Sequence, residues 1–386
     1  MNNSISACLI MKNEARTNEM FKNKTNIEVC LDSLSKFCDE IIIVDTGSTD
    51  NSIEIAKKYT NKIFSLIEDP FNFSNARNLS FSKATCNWIL WQDMDDYYTE
   101  ENIEKILQLK NNVLSNTSYK YFSWYYDYRH KDNKPSYVFA RDRLVLNDKT
   151  VYWQYAIHEE MVVNGKHLML ENIHTTHTCN TDNGYKYVEM FSNRIQNGIE
   201  LKPREKYYYA GELFVLGRYD EAISILLDFE KDNYEGSYEN KRAQDYLAKG
   251  YFYKQDYFNA LEHYLKYLKY DMPTAEILYS IATCYVLLKR NKEAIFWYEI
   301  VIDDNYPKNN LTIEDSKRFK IKAGLQLCML YYKIDINKSL KMNNYVLSLD
   351  PTNQIALGNL RFFIKKKTLN NEGLFIVCYW KNIHNL

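Results

Sequence analysis

The chain has 386 residues, enough for two domains, because a single hydrophobic core rarely keeps growing to that length. Apolar residues make up 46% and charged residues 26%, with a formal net charge of −1, so nothing global draws the chain to nucleic acid or to an anionic membrane. The eight cysteines are scattered without a CxxC pair, which reads as free thiols in a reducing compartment and excludes a disulfide framework. The opening Met1-Asn2-Asn3-Ser4 lacks a signal pattern and no apolar run approaches a bilayer span. The expectation is a cytoplasmic protein with no nucleic-acid partner and no integral membrane association.

In chain order, the first hundred residues alternate short apolar runs with amphipathic stretches. Residues 5–11 read as a strand, and 26–37 as a helix with Ile27, Leu31 and Leu34 at helical spacing. Residues 40–44 form a β-branched run suited to a parallel strand buried on both faces. A helix over 49–59 follows, with Ser48 or Thr49 as its expected N-cap. A strand at 62–66, a helix at 74–84 and a strand at 88–92 complete the series. This order predicts a Rossmann-like α/β domain, with a parallel sheet and helices on both faces. Ligands of such sheets bind beyond the carboxyl ends of the strands, so the polar residues after each run carry the chemistry. The Tyr-rich stretch 119–128 reads as strand packing, with stacking on a hexose as the alternative.

From about Lys202 onward helical spacing takes over. Gly217-Arg218-Tyr219-Asp220-Glu221-Ala222, Gln255-Asp256-Tyr257-Phe258-Asn259-Ala260 and Lys289-Arg290-Asn291-Lys292-Glu293-Ala294 form a weak repeat, with their alanines 38 and 34 residues apart. A further unit contains Ile336-Asn337-Lys338-Ser339. A period near 34 with a small residue where two helices cross is the pattern of tetratricopeptide-like helical hairpins. The predicted division is therefore an α/β domain over 1–200 and an all-α repeat domain over 201–386.

Three segments stand out chemically. Asp93-Met94-Asp95-Asp96 clusters carboxylates after a buried strand, where repulsion is relieved either by a hard divalent cation such as Mn²⁺ or Mg²⁺ or by solvent on an ordinary acidic loop. Asp45-Thr46-Gly47-Ser48-Thr49-Asp50 follows another core strand; Asp45 can hold a ribose or base, while Ser48, Thr49 and Asp50 read as an ordinary turn. Arg77, in the first turn of its helix, can reach a phosphate, although a lone Arg there is commonly a surface residue. His158-Glu159-Glu160 taken alone reads as a solvated turn, and His130, His167, His174 and His263 as surface or core histidines.

Taken in order, Met11-Lys12-Asn13-Glu14, the Asp45 turn, Phe73-Ser74-Asn75-Ala76-Arg77-Asn78 and the Asp93 cluster resemble glycosyltransferase family 2, inverting enzymes with a GT-A donor-binding sheet. The resemblance covers about the first 200 residues. Arg141-Asp142-Arg143, the stretch from Val151 to Glu160 and His177-Thr178-Cys179-Asn180 are similar to a subgroup in which tetratricopeptide repeats follow the catalytic domain. That subgroup includes the sublancin-type peptide S-glycosyltransferases. The resemblance implies Glu14 and Asp45 at the uridine half of the donor, Arg77 beside the base or diphosphate, and Asp93 at the ribose. It implies Asp95 as metal ligand with His177 as a further one, and Glu159 as the base that deprotonates the acceptor. Four positions depart from the family pattern: Met94 stands where Ala is usual, Tyr155 where Gly is common, and Cys179-Asn180 where a Gly-Tyr pair follows the histidine. An insertion around 16–26 separates Glu14 from its helix and is expected to form a loop over the donor.

The implied activity is transfer of a hexose from a nucleotide-sugar, a UDP-hexose by resemblance, to Cys, Ser or Thr of a peptide or protein, a bacteriocin precursor among the candidates. The alternatives are a repeat scaffold carrying a silent transferase fold, or a lipid or glycan acceptor. Repeats of this kind also leave a homodimer open.

Overall fold

The computed structural model describes residues 3–18, 20–129, 135–178, 184–303 and 316–369. The chain divides into two compact units, Met1–Leu201 and Lys202–Leu386.

The first unit begins β1 (Ile5–Met11), α1 (Asn26–Leu34), β2 (Glu40–Asp45), α2 (Ser52–Ala56), β3 (Ile63–Ser65), α3 (Phe73–Lys83) and β4 (Trp88–Gln92). It continues through β5 (Asp96–Tyr97), α4 (Glu100–Asn112), β6 (Tyr121–Arg129), β7 (Pro135–Leu146), β8 (Tyr152–Gln154), β9 (Glu160–Val162), β10 (His167–Thr178) and α5 (Gly184–Gln196). Eight strands form one sheet in the order β3-β2-β1-β4-β7-β6-β10-β5, and β8 and β9 form a hairpin. The predicted parallel pairing holds for β3, β2, β1 and β4. Beyond β4 the sheet is mixed: β7 runs antiparallel to both β4 and β6, and β5 antiparallel to β10.

The core strands are buried on both faces, as their uninterrupted apolar runs require. Ile5, Ala7 and Leu9 of β1 pack with Ile27 and Leu31 of α1 and Ile103 and Ile106 of α4 on one face. Cys8, Ile42, Ile89 and Trp91 point the other way and pack with Phe81 of α3 and Trp153 of the hairpin. The β2 edge is tied by Glu40, which is 8% exposed and whose carboxylate accepts from Ser6, Lys62 and both the amide and hydroxyl of Thr85.

Capping at α2 differs from the sequence expectation. Its N-cap is Asn51, with no side-chain cap bond. Ser48 and Thr49 serve the loop after β1 instead: Ser48 Oγ accepts from Asn13 N (3.0 Å), and Thr49 N donates to Asn13 Oδ1 (2.8 Å). Asn13 can take this role because its φ of 56° is left-handed, a conformation Asn tolerates better than most residues.

The second unit comprises α6 (Pro203–Val215), α7 (Tyr219–Lys231), α8 (Ser237–Tyr253), α9 (Tyr257–Tyr267), α10 (Ala275–Leu287) and α11 (Asn291–Asp303), then α12 (Ser316–Tyr332), α13 (Ile336–Leu349) and α14 (Gln354–Leu369). The first residue of each predicted repeat motif ends a helix in the left-handed region: Gly217, Gln255 and Lys289 have φ of 74°, 63° and 61°. At each one the next amide reaches back to a carbonyl five residues earlier, as in Arg218 N to Leu213 O (2.9 Å), Asp256 N to Tyr251 O (2.9 Å) and Arg290 N to Tyr285 O (2.8 Å). This is the Schellman stop, which satisfies orphan carbonyls before the chain turns. The recurring small residues Ala222, Ala260, Ala294 and Ser339 are all at most 1% exposed, so each allows close helix approach within its hairpin.

Candidate active site

Helix α3 organises the site. Its N-cap Asn72 accepts from Asn75 N (3.2 Å), and its first turns clamp the segment after β8. Asn78 bonds the Trp153 backbone twice, accepting from N (2.7 Å) and donating to O (2.9 Å). Phe73 N donates to Ala156 O (2.8 Å), and the Ser74 hydroxyl to Tyr155 O. Tyr155 and His158 take left-handed φ of 68° and 53°, a conformation costly for large side chains. The backbone at Tyr155 is thus one that glycine adopts more readily. The result is to lay Glu159 against Arg77.

Arg77 is 6% exposed, which overturns the surface reading. Its Nε donates to Glu159 Oε1 (2.6 Å) and its Nη2 to Asp93 Oδ1 (2.8 Å). Trp91 and Trp153 flank the guanidinium at 4.8 and 4.9 Å. Burial works against its charge, but the two carboxylates outweigh it and hold its pKa above the usual arginine range. Burial likewise pushes Asp93 up, and Arg77, Arg143 and Arg141 together pull it well below the usual carboxylate range. The Glu159 side chain is 14% exposed, so the solvated-turn reading fails for Glu159, while Glu160 is exposed as that reading expects.

A second group lies at the start of β5. His177 Nδ1 is 2.9 Å from Asp96 Oδ1 and 3.6 Å from Asp95 Oδ1. Asp96 also accepts from Tyr126 Oη (2.9 Å) and from Arg143 Nη2 (3.1 Å), and the Arg143 and Asp96 side chains are both fully buried. Burial raises Asp95 to about 7, opposed by His177 and reinforced by Asp96, Asp93 and Glu14. Burial opposes the charge on His177, yet the Asp96 bond and the Asp95 charge raise it to about 9. Glu14 is also raised by burial, against the pull of Arg16 and Asn26. The insertion folds back on itself, pairing Thr17 with Thr25, and returns Asn26 to within 3.5 Å of Glu14. Arg16 bridges Glu14 (3.1 Å) and Asp95 (3.8 Å).

The fold therefore gathers Arg77, Asp93 and Glu159, and beside them Glu14, Asp95 and His177. Asp45 is separate. It is 5% exposed, and its carboxylate closes its own turn by accepting from Gly47 N (3.1 Å) and Ser48 N (3.2 Å). Sequence reasoning gave no role to Asp96, Arg143 or Tyr126, although Arg141 and Arg143 at alternate positions of an apolar strand were a visible signal. His174 bonds Asp127 (2.8 Å), His167 stacks on Tyr121 at 4.7 Å, and His263 stacks on Tyr251 at 5.5 Å. His130, Cys179, Asn180 and Asp182 lie outside the described residues. All six described cysteines are free.

Asp95, Asp96 and His177 offer ligand atoms within 4.8 Å of one another, a donor set of carboxylate oxygen and imidazole nitrogen that fits a divalent cation. Asp96 has both oxygens engaged, so it orients His177 in the way outer carboxylates hold metal-binding imidazoles. Asp95 and His177 are then the residues that would hold a cation.

Residues 6–158, within the first unit, match the model of Glycosyl transferase family 2. The chain is 24% identical over 368 residues to the SPbeta prophage-derived glycosyltransferase SunS of Bacillus subtilis, covering 90% of this chain and 85% of that one. It is 34% identical over 92 residues to a TPR repeat-containing protein of Synechococcus elongatus, covering 24% of this chain and 20% of that one. Among solved structures, S. aureus TarS 1–349 is similar at 14% identity and a TM-score of 0.38, covering 70% of this chain and 94% of that one, too loose a likeness to locate function.

Proposed function

We propose that the first unit is an inverting hexosyltransferase. It would move a sugar from a nucleotide-sugar, a UDP-hexose, to a Cys, Ser or Thr side chain of a peptide or protein, such as a bacteriocin precursor. The observation that carries this reading is the grouping of Arg77, Asp93, Asp95 and Glu159 after β4 and β8, inside the span matched by the family model. Similarity to SunS over most of both chains supports it.

In this reading Asp45 and Glu14 take the uridine half of the donor and Asp93 the ribose. Asp95 and His177 hold Mn²⁺ or Mg²⁺, which when bound supplies positive charge to the diphosphate. Glu159 accepts the proton of the acceptor's thiol or hydroxyl. The acceptor atom bonds to the anomeric carbon while the bond to the diphosphate breaks and its electron pair leaves with the phosphate. Arg77, already committed to Glu159 and Asp93, fixes both carboxylates in position instead of meeting the phosphates alone. The second unit would recruit the acceptor. It contains a cavity of about 500 Å³ lined by Lys241, Lys249, Asp245 and Glu276 with Tyr264 and Tyr267, a concavity suited to an extended segment.

The test is thermal unfolding of the protein with UDP, GDP, CDP and their sugars, each with and without Mn²⁺ or Mg²⁺. Metal-dependent stabilisation by one nucleotide is the expected result and identifies the base. Stabilisation by none would favour a repeat scaffold carrying a silent transferase fold.

A further inference from the structure

Three guanidiniums surround the Trp91 indole. Arg143 lies 4.1 Å from its ring centre, Arg77 4.8 Å and Arg141 5.5 Å. Gathering like charges around one ring is costly unless each finds an anion. Two have done so: Arg77 is held by Glu159 and Asp93, and Arg143 by Asp96. Arg141 has not. Among the described residues no carboxylate lies within ion-pair distance of it, and no hydrogen bond uses any of its five N–H donors.

Its place in the sheet is telling. Arg141 and Arg143 flank a register shift in β7, and both lie over the Trp91 and Tyr126 rings. Arg143 is fully buried, while Arg141, one step further along, is half-buried. Arg141 is packed on Tyr126 at 4.8 Å and Phe139 at 5.4 Å. The antiparallel register of β4 and β7 pairs Trp88 with Leu146, Ile89 with Val145 and Leu90 with Leu144. The ladder ends there, but Arg141 is near enough to Asp93 to help pull its pKa down, which sets it by the carboxyl end of β4 where ligands of such sheets bind.

We infer that Arg141 forms an anion subsite for the donor's diphosphate, supplying the protein cation that Arg77 cannot. The inference rests on the nucleotide-sugar reading above. As the anomeric carbon–oxygen bond breaks, its electron pair moves onto the β-phosphate oxygen, and the nucleoside diphosphate leaves with one more negative charge. Arg141 donates N–H bonds to those phosphate oxygens, and no proton changes hands. The aromatic packing holds the planar fork ready, so little rotamer freedom is lost on binding.

Arg141→Met preserves length and suits the aromatic packing, whereas Arg141→Lys preserves charge but not the fork. Binding of UDP and of uridine, which lacks the phosphates, is measured by calorimetry on the full chain with Mn²⁺, beside kcat and KM. Arg141→Met is expected to bind UDP about tenfold to a hundredfold more weakly with uridine affinity unchanged, and kcat/KM should fall at least as far. Arg141→Lys should recover part of the loss. Wild-type UDP affinity and turnover in Arg141→Met would overturn the assignment. If Arg141→Met does not fold, Arg141→Lys decides: weaker UDP binding at unchanged uridine affinity supports the subsite, and unchanged UDP binding overturns it. Failure of the wild-type protein to bind any nucleoside diphosphate would sink the donor reading itself, before any variant is made, and Arg141's role with it.

Discussion

The two units bury charge in different ways. In the first, both partners of an ion pair can be removed from water: the Arg143 and Asp96 side chains are each 0% exposed. In the second, Asp245 is 3% exposed, but its partners Arg242 and Lys249 remain 36% and 27% exposed and run their stems along the protein to keep their heads near solvent. Full desolvation of both partners costs several kcal/mol per ion and adds little net stability, so such pairs point to an arrangement kept for geometry. The second unit takes its order from periodic close packing, with charge added at the margin.

Four experiments can break or sharpen that contrast. Asp95→Ala should lower transfer by about a thousandfold or more, since a metal-holding carboxylate is lost. Its unfolding midpoint should hold or rise, because one of several crowded carboxylates is gone. Full activity in that variant would remove Asp95 from the metal site.

Arg143→Met leaves the Asp96 charge buried without its guanidinium and should cost about 3–5 kcal/mol in urea unfolding. The matching change in the second unit, Arg242→Met, should cost about 1 kcal/mol or less. Equal costs would erase the distinction between the units.

Glu40→Gln addresses pH. Burial opposes ionisation of Glu40, but Lys62, Ser6 and Thr85 lower its pKa from 4.5 to about 2. A depressed carboxylate stabilises the fold above its unfolded pKa and loses that contribution as pH falls through its folded value. The wild-type advantage over Glu40→Gln, on the order of 2–3 kcal/mol at pH 7, should therefore shrink between about pH 4.5 and pH 2. A pH-independent difference in urea midpoint would refute the assignment.

The smallest effect belongs to the repeat turns. Gln255→Gly relieves a left-handed side chain and should stabilise the second unit by about 0.5–1 kcal/mol, read as a rise in its melting temperature. Destabilisation would show that the Gln255 side chain contributes more than its backbone costs.

Much of the architecture was legible in the sequence. The runs at β1, β2 and β4 are buried on both faces, and a contiguous pattern is enough to reveal that. The repeats were legible for a similar reason: a left-handed stop at Gly217, Gln255 and Lys289, followed by Ala222, Ala260 and Ala294, is a local signal repeated at nearly constant spacing. The capping of α2 was not, because Ser48 and Thr49 found partners 35 and 36 residues earlier in the chain.

By itself, then, the sequence determined the α/β order, the helical repeats and the residue types of the site, since each depends on periodicity or motif within a short stretch. Only the tertiary structure decided which charges meet. Glu159 reaches Arg77 across 82 residues, His177 reaches Asp96 across 81, and Arg143 reaches Asp96 across 47. No local pattern encodes such pairings. They follow from antiparallel strand register beyond β4 and from the clamp of α3 on the Trp153 segment, and these leave Arg77 held between two carboxylates and Arg141 with no ion pair among the described residues.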